Sequence, residues 1–302
     1  MPRLRANGIT LHYDSFGAAD ADAIVLIAGL GTQMIRWPQP FCEDLAARGY
    51  RVIRFDNRDA GLSTHFSQCP VPDFAALAAT LARGQRPDVP YTLHDMAADT
   101  IGLLDALSIA RAHLVGRSMG GMVAQLMAAD HAPRVTSLTA IMSSTGHPSL
   151  PSADPEMMAM LTRPAPHPFN DEAGFLAHQL GFARAIAGPL SPFDAEAHRA
   201  QIRAETARAW HPAGFGRQLA AIAATGDLRS RLATITAPTL VVHGSHDRLF
   251  PPACGADIAA HVAGARLMLI DGMGHDLPPA LYARVVDAIA ALADAARPRL
   301  PV

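Results

Sequence analysis

The chain has 302 residues, of which 50% are hydrophobic and 17% are charged, and its formal net charge is −2. This composition excludes a disordered chain, and the small net charge gives no electrostatic reason to expect nucleic acid or an anionic membrane as a partner. The length allows one large hydrophobic core with room for a subdomain.

The three cysteines, Cys42, Cys69 and Cys254, have no C-x-x-C spacing. They favour reduced structural thiols over disulfides or a metal site. Residues 1–12 lack the apolar core of a signal peptide. No run reaches about 18 apolar residues, so no membrane-spanning segment is predicted. We therefore expect a cytoplasmic protein, and the sequence leaves its oligomeric state open, a homo-oligomer included.

The first elements along the chain are an antiparallel pair and a buried strand. Asn7-Gly8, flanked by short strand-like segments, is the signal of a two-residue hairpin turn. The continuous apolar run AIVLIA at 23–28 favours a central strand buried on both faces. The residues Gly29-Leu30-Gly31 follow it and predict a tight loop at the end of this strand.

A helix at about 37–48 and a strand at 51–55 come next in the sequence. Gly49 ends the predicted helix. The strand runs into the polar, glycine-bearing segment DNRDAGLS. Within this segment we expect Arg58 and Asp59 to bond to one another as a structural clamp.

The stretch AHLVGRSMGGMVAQLMAAD at 112–130 combines a short apolar strand, a tight turn and a helix. Ser118 is the central residue of a G-x-S-x-G motif at the turn. In such a nucleophile elbow a strained backbone projects the serine hydroxyl above the sheet. Side chains at Gly116 and Gly120 would collide with the crossing strand and helix, so glycine is a steric requirement at both positions.

Strands and helices alternate on both sides of this motif. Thr92 and Asp95 have the spacing of a capping box at the start of a helix over 93–107, and a strand is predicted at 134–142. The alternation predicts an α/β fold with a mostly parallel central sheet and helices on both faces. Such sheets bind ligands at the carboxyl ends of their strands.

From residue 143 onward prolines are frequent, and three or four helices are expected between about 154 and 224. We predict that residues 146–232 form a helical cap, and that residues 1–145 together with 233–302 form the core. Most bulky apolar side chains of the cap are expected to pack on one another. Others would form an apolar lid over the ligand-binding edge.

Two later strands end at the same edge of the predicted sheet. The strand at 239–243 runs into Gly-Ser-His and Asp247, and the strand at 266–270 is followed by the motif Gly-Met-Gly and His275. A serine nucleophile needs a base, and the base needs a third group that orients it. Ser118, Asp247 and His275 supply these groups in the chain order of the α/β-hydrolases.

Rival residues flank the predicted acid and base. His246 is adjacent to Asp247, and neighbours on one short loop rarely bridge to a serine. Asp271 and Asp276 lie beside the base in sequence, and Asp271 is expected to close a turn. Acyl transfer also needs backbone N–H donors for the developing oxyanion. We expect these from Leu30 and from Met119, the residue after the nucleophile.

The motifs GRSMGG, DNRDAGLS, HGSHD and GMGH together resemble the α/β-hydrolase superfamily over essentially the whole chain. DNRDAGLST with a Met-containing elbow is similar in particular to bacterial serine esterases related to aclacinomycin methylesterase. The resemblance implies an α/β-hydrolase fold with a helical cap. It also implies functional residues in matching positions: Ser118 as nucleophile, His275 as general base and then acid, Asp247 as its partner, and Leu30 with Met119 as the oxyanion pair.

One position departs from this pattern. Many members have His-Gly before the oxyanion residue, whereas this chain has Ala28-Gly29. Because a backbone N–H does the work, we expect the oxyanion hole to be retained.

These residues predict a serine hydrolase that cleaves carboxylic esters of small to medium hydrophobic substrates through an acyl-enzyme, without a metal or organic cofactor. A lactonase, a C–C bond hydrolase and a cofactor-free perhydrolase would use the same residues and remain alternatives. A serine at the elbow argues against haloalkane dehalogenase and epoxide hydrolase chemistry, which would place an aspartate there. A ligand sensor with a vestigial triad is the alternative from a different class.

Overall fold

A computed structural model describes residues 2–297. Within this range eight strands form one sheet in the order β1-β2-β4-β3-β5-β6-β7-β8. The strands are β1 (Arg3–Ala6), β2 (Ile9–Phe16), β3 (Ala23–Ile27), β4 (Arg51–Phe55), β5 (Ala112–Arg117), β6 (Val135–Ile141), β7 (Thr239–Gly244) and β8 (Arg266–Ile270). The β1–β2 and β2–β4 pairs are antiparallel and the other pairs are parallel, which confirms the mostly parallel sheet.

The same range contains eleven α-helices. They are α1 (Gln39–Ala46), α2 (Phe74–Ala82), α3 (Leu93–Ala106), α4 (Met119–Asp130), α5 (Pro155–Thr162), α6 (Glu172–Ile186), α7 (Ala195–Arg208), α8 (Pro212–Thr225), α9 (Arg229–Leu232), α10 (Pro252–His261) and α11 (Tyr282–Ala295). No helix in the described range is both long and apolar enough to cross a lipid bilayer.

The core lies on both faces of the sheet, as the central strand β3 illustrates. Successive side chains of a strand point to opposite faces. Val25 and Ile27 pack with α3, α4 and α10 on one face. Ile24 and Leu26 pack with α1 and α11 on the other. This double burial is the reason that the strand is apolar throughout, and it confirms helices on both faces.

Two local predictions are confirmed and one helix boundary is corrected. Asn7 and Gly8 have φ of 45° and 78° and form the hairpin turn, and the Thr92 N–H donates to Asp95 in the predicted capping box. The helix expected at 37–48 is instead a short 3₁₀ turn over Met34–Arg36 followed by α1. Trp37 between them is extended, because the residue before a proline is driven out of the helical region.

Five helices, α5 to α9, lie between β6 and β7 within residues 146–232, a segment called the insertion from here on. It has a small apolar cluster of its own, formed by Phe175, Leu176 and Ile202 with Trp210 packed against them. Its last part also contributes Ala221, Leu228 and Leu232 to the core on one face of the sheet. The insertion is therefore packed onto the sheet-forming part of the chain through its second half.

Candidate active site

The turn between β5 and α4 has the backbone of a nucleophile elbow. Ser118 has φ of 53° and ψ of −122°, a conformation that side-chain-bearing residues rarely adopt. A Cβ built on Gly116 would lie 2.1 Å from the Gly120 carbonyl oxygen, and one on Gly120 would lie 2.2 Å from that of Ile27. The strand, turn and helix thus approach one another so closely that only glycine fits at both positions.

The structure brings the three predicted triad side chains together in one chain of hydrogen bonds. His275 Nε2 lies 3.0 Å from Ser118 Oγ, and His275 Nδ1 lies 2.7 Å from Asp247 Oδ2. His275 and Asp247 are buried, at 6% and 3% exposure, whereas Ser118 is half-buried. An Nδ1–H donated to Asp247 leaves Nε2 as the acceptor that faces the serine hydroxyl.

Asp247 is fixed by the turn in which it lies. Its Oδ1 accepts hydrogen bonds from the N–H groups of Leu249 and Phe250 at 2.9 and 2.8 Å, which leaves Oδ2 for the imidazole of His275. The ring of Phe250 meets the imidazole edge-on at a centroid distance of 5.5 Å. The acid and the aromatic contact therefore fix the base from two directions.

His243 also supports this turn, a role that the sequence did not predict. Its Nε2 lies 2.8 Å from the carbonyl oxygen of Phe250 and 3.5 Å from Asp247 Oδ2. Burial lowers the pKa of His243, so the ring is neutral and donates its Nε2–H to the carbonyl. Sequence alone signalled only a histidine at the end of a buried strand.

The rival residues have other partners. His246 Nδ1 and Asp271 Oδ1 both contact the hydroxyl of Ser245, at 2.8 and 2.9 Å. Asp276 faces His198 of α7 at 3.6 Å and Arg117 at 3.7 Å.

The two predicted oxyanion donors lie on the loops that meet at the serine. A Cβ built on Gly29 would lie 3.4 Å from Ser118 Cβ, which places the Leu30 loop beside the elbow. Neither the Leu30 nor the Met119 backbone N–H donates a hydrogen bond to another group within residues 2–297.

Three side chains support the loop that carries Leu30. Asn57 Nδ2 donates to the Ala28 carbonyl at 3.0 Å, and Asp56 accepts from the Met34 N–H at 2.8 Å. Gln218 Oε1, from α8 of the insertion, accepts the Gly31 N–H at 2.7 Å. These contacts hold a loop in which Ala28 takes the place of the histidine found in many family members.

The prediction that Arg58 and Asp59 bond to one another is wrong. Arg58 forms a bidentate ion pair with Asp99 of α3, with N–O distances of 2.6 and 2.7 Å. Asp59 forms an ion pair with Arg217 of α8. Asp59 has φ of 64°, and its backbone N–H donates to the Thr64 carbonyl in a tight turn. Neighbouring side chains in this segment therefore reach two different helices.

A sequence profile described as "alpha/beta hydrolase fold" matches residues 22–278. The chain belongs to the α/β-hydrolase fold family. Rhodomycin D methylesterase DauP of Streptomyces sp. (strain C5) is 30% identical over an alignment of 306 positions, and the alignment covers 94% of each chain. Rhodomycin D methylesterase DnrP of Streptomyces peucetius is 32% identical over an alignment of 306 positions, with 94% of each chain covered.

Solved structures of this family superpose over nearly the whole of this α/β hydrolase. The enol-lactonase from Burkholderia xenovorans LB400 has a TM-score of 0.70 and 26% sequence identity, and the match covers 97% of this chain and 98% of that one. The fold and the family resemblance expected from the motifs are thereby confirmed.

Because α/β hydrolases share a fold without sharing a reaction, the chemistry depends on the residues of the site. Ser118 Oγ is within hydrogen-bond distance of an imidazole nitrogen, and that imidazole is held by a buried carboxylate. This arrangement suits attack of a hydroxyl on an electrophilic carbon with transfer of its proton to the ring.

Proposed function

We propose that this α/β hydrolase is a serine esterase in which Ser118 is the nucleophile, His275 the general base and acid, and Asp247 the residue that orients the base. The observation that carries this proposal is the continuous hydrogen-bonded chain from Ser118 Oγ through His275 to Asp247, with distances of 3.0 and 2.7 Å. The strained elbow conformation of Ser118 supports the same assignment.

The proposed reaction has two halves. Ser118 Oγ attacks the acyl carbon while its proton passes to His275 Nε2, and the N–H groups of Leu30 and Met119 bind the oxyanion. The imidazolium then gives the proton to the leaving alcohol, and an acyl-enzyme remains. Water, deprotonated by His275, attacks the acyl carbon, and collapse of the second oxyanion returns the proton to Ser118 and frees the acid.

The proposed substrates are uncharged, hydrophobic esters of small to medium size. The relatives named rhodomycin D methylesterases support a methyl ester, with methanol as the leaving alcohol. The ring of Phe215 on α8 supports an apolar acyl group, because it packs over Gly31 so closely that a Cβ there would lie 2.7 Å from the ring. An aromatic surface therefore borders the proposed oxyanion loop.

Replacement of the serine tests the assignment. Ser118→Ala should lower kcat on p-nitrophenyl butyrate by about 10⁴- to 10⁶-fold, because the remaining groups cannot form the acyl-enzyme. It should also abolish labelling by a fluorophosphonate. The control is Ser149→Ala, which removes an exposed hydroxyl that forms a hydrogen bond with His147 Nδ1. Wild-type turnover or labelling in Ser118→Ala would end the proposal.

A lactonase is the second candidate, and the structural likeness to an enol-lactonase favours it. Ring opening of a lactone uses the same attack, except that the leaving alcohol stays attached to the acyl group. A panel of methyl esters, lactones and amides ranked by kcat/KM decides between the two. Higher kcat/KM for lactones than for methyl esters of matched size would make the lactonase the better assignment.

Two further proposals, on domain organisation and on location, accompany the esterase, and the oligomeric state is left to experiment. Residues 146–232 act as a cap, and residues 1–145 with 233–302 act as the core that carries the triad. The cytoplasmic location is supported by three free cysteines, of which Cys42 and Cys254 are buried. Size-exclusion chromatography with light scattering tests whether the protein is a homo-oligomer.

A further inference from the structure

Residues 271–276, called the histidine loop from here on, follow β8 and carry the proposed base. This loop is held from two sides. On the sheet side, the Ser245 hydroxyl accepts the Gly272 N–H at 2.9 Å, and the Met273 carbonyl accepts the His246 N–H at 2.9 Å. These contacts hold the first half of the loop. The backbone N–H of His275 is bound from the other side.

The partner of that N–H belongs to the insertion. The His275 N–H donates to the carbonyl of Ile186, the last residue of α6, at 2.8 Å. Four residues later the Leu190 N–H donates to the Gly272 carbonyl at 2.9 Å. Residues 186–190 thus form hydrogen bonds to both ends of the loop.

Two glycines allow this close approach. A Cβ built on Gly188 would lie 2.1 Å from the Gly272 carbonyl oxygen and 2.3 Å from the Gly274 nitrogen. A Cβ built on Gly274 would lie 2.2 Å from the carbonyl oxygen of Ile186. All of these neighbours are backbone atoms, so a side chain at Gly188 would have to push the histidine loop away from the insertion.

A third contact lies one residue beyond the base. Asp276 Oδ2 is 3.6 Å from Nε2 of His198 on α7, and Asp276 Oδ1 is 3.7 Å from Arg117, the residue before the nucleophile. The insertion therefore reaches the histidine loop at its beginning, at His275 itself and at its next residue.

We propose that the insertion positions the general base, with Gly188 as the positioning residue. His275 then reaches Ser118 only while residues 186–190 remain in contact with the histidine loop. This inference rests on the proposed esterase function. It implies that displacement of the insertion slows acyl transfer for every ester, small or large, because the defect lies in the base and not in substrate contacts. A misplacement of about 1 Å in a catalytic group lowers turnover by up to about 100-fold.

Gly188→Ala tests the inference against Gly181→Ala as a matched control. Gly181 lies on α6 of the same insertion, and a Cβ there would meet only Met160 Cε at 3.8 Å. Turnover is measured per active site, with sites counted by the fluorophosphonate, on p-nitrophenyl acetate and on a longer ester. Gly188→Ala should lose about 10- to 100-fold in kcat on both esters with KM nearly unchanged, and Gly181→Ala should match wild type.

Wild-type kcat per active site in Gly188→Ala, or a loss confined to KM or to the longer ester, would overturn the inference. If Gly188→Ala does not fold, His198→Ala provides the second variant, since it removes the contact from α7 to Asp276 without adding volume and leaves Asp276 facing Arg117. It should lower kcat on both esters in the same way, and an unchanged kcat would count against the inference.

A proton NMR readout separates this inference from the esterase proposal. The Nδ1–H that His275 shares with Asp247 should give a downfield imidazole signal, identified by its loss in Asp247→Asn. Gly188→Ala should shift or broaden that signal while Gly181→Ala leaves it in place, whether or not any ester is hydrolysed. An unchanged signal in Gly188→Ala contradicts the positioning role, whereas a preserved wild-type signal without ester hydrolysis contradicts only the esterase.

Discussion

Asp59 forms a bidentate ion pair with Arg217 in the interior, with both N–O distances at 2.8 Å. The two residues are 158 positions apart in the chain. The Tyr91 hydroxyl and the Phe66 N–H donate to the same carboxylate at 2.6 and 2.8 Å. Burial alone would raise the pKa of Asp59, but the hydrogen bonds from Arg217, Tyr91 and Phe66 outweigh it and hold the pKa below its usual range. The ionised carboxylate therefore ties α8 of the insertion to the loop after β4.

Arg217→Met should destabilise the protein by about 3–5 kcal/mol, because it leaves the buried Asp59 carboxylate without its counter-ion. Urea unfolding followed by circular dichroism measures the change. The control is Arg203→Met, since the Arg203–Glu172 pair is exposed at 55% and 59%. Exposed pairs contribute about 0–1 kcal/mol. Equal losses in the two variants would show that burial of the Asp59 pair is not what matters.

Asp247→Asn should lower kcat by about 10⁴-fold with little change in stability. The N–H groups of Leu249 and Phe250 already donate to one oxygen of the side chain, so an asparagine would keep its oxygen there and turn its NH₂ toward His275. The amide would then donate to Nδ1, and the ring proton would move to Nε2, the atom that must accept from Ser118. Steady-state kinetics on a p-nitrophenyl ester measure the loss. Asp271→Asn, at an exposed site, should stay within a few-fold of wild type.

Thermal stability should depend on pH through His198 of the insertion. Its pairing with Asp276 raises the pKa of His198, more than burial and nearby Arg36 lower it. Because the pKa of His198 is raised in the folded state, the stability that this pair contributes is fully present below the unfolded pKa of about 6.5. It is lost as pH rises through the folded pKa. Asp276 stays ionised in this window, since its own pKa lies below the usual range.

The Tm advantage of wild type over His198→Gln should therefore be largest near about pH 6 and should shrink toward about pH 8.5. Differential scanning fluorimetry across this range measures it. Asp276→Asn should remove the same pH dependence, because the imidazolium then has no carboxylate to face. A Tm difference that grows with pH would mean that His198 is stabilised in its neutral form.

Features that depend on a few adjacent residues could be predicted from the sequence. The hairpin at Asn7-Gly8 and the elbow at Ser118 follow from steric limits on φ, which act within a turn. The meeting of Ser118, Asp247 and His275 could also be predicted, because parallel strands bring their carboxyl ends to one edge.

Apart from the triad, contacts between side chains distant in sequence could not be predicted. Nothing in the spacing of DNRD shows that Arg58 reaches a partner 41 residues away and Asp59 one 158 residues away. The helix α2 could not be predicted either, because its sequence FAALAATLA lacks the polar face that marks an amphipathic helix. The contact of Gly188 with the histidine loop had no signal beyond a glycine before a proline.

Gln218 links the insertion to the proposed oxyanion loop. Its Oε1 accepts the Gly31 N–H and its Nε2 donates to the Arg58 carbonyl, both at 2.7 Å, and the side chain is fully buried. Gln218→Ala removes the acceptor that orients the peptide next to Leu30. Because the Leu30 N–H is proposed to bind charge that develops only in the transition state, kcat should fall by about 10- to 100-fold while KM changes little.

Steady-state kinetics of Gln218→Ala on esters with matched acyl groups measure this split between kcat and KM. Gln39→Ala removes an exposed glutamine that donates a hydrogen bond to Glu43. It is the control for loss of a glutamine side chain and should match wild type. A rise in KM with kcat unchanged would assign Gln218 to ground-state substrate binding. That result would place the loop's support with Asn57 and Asp56 alone.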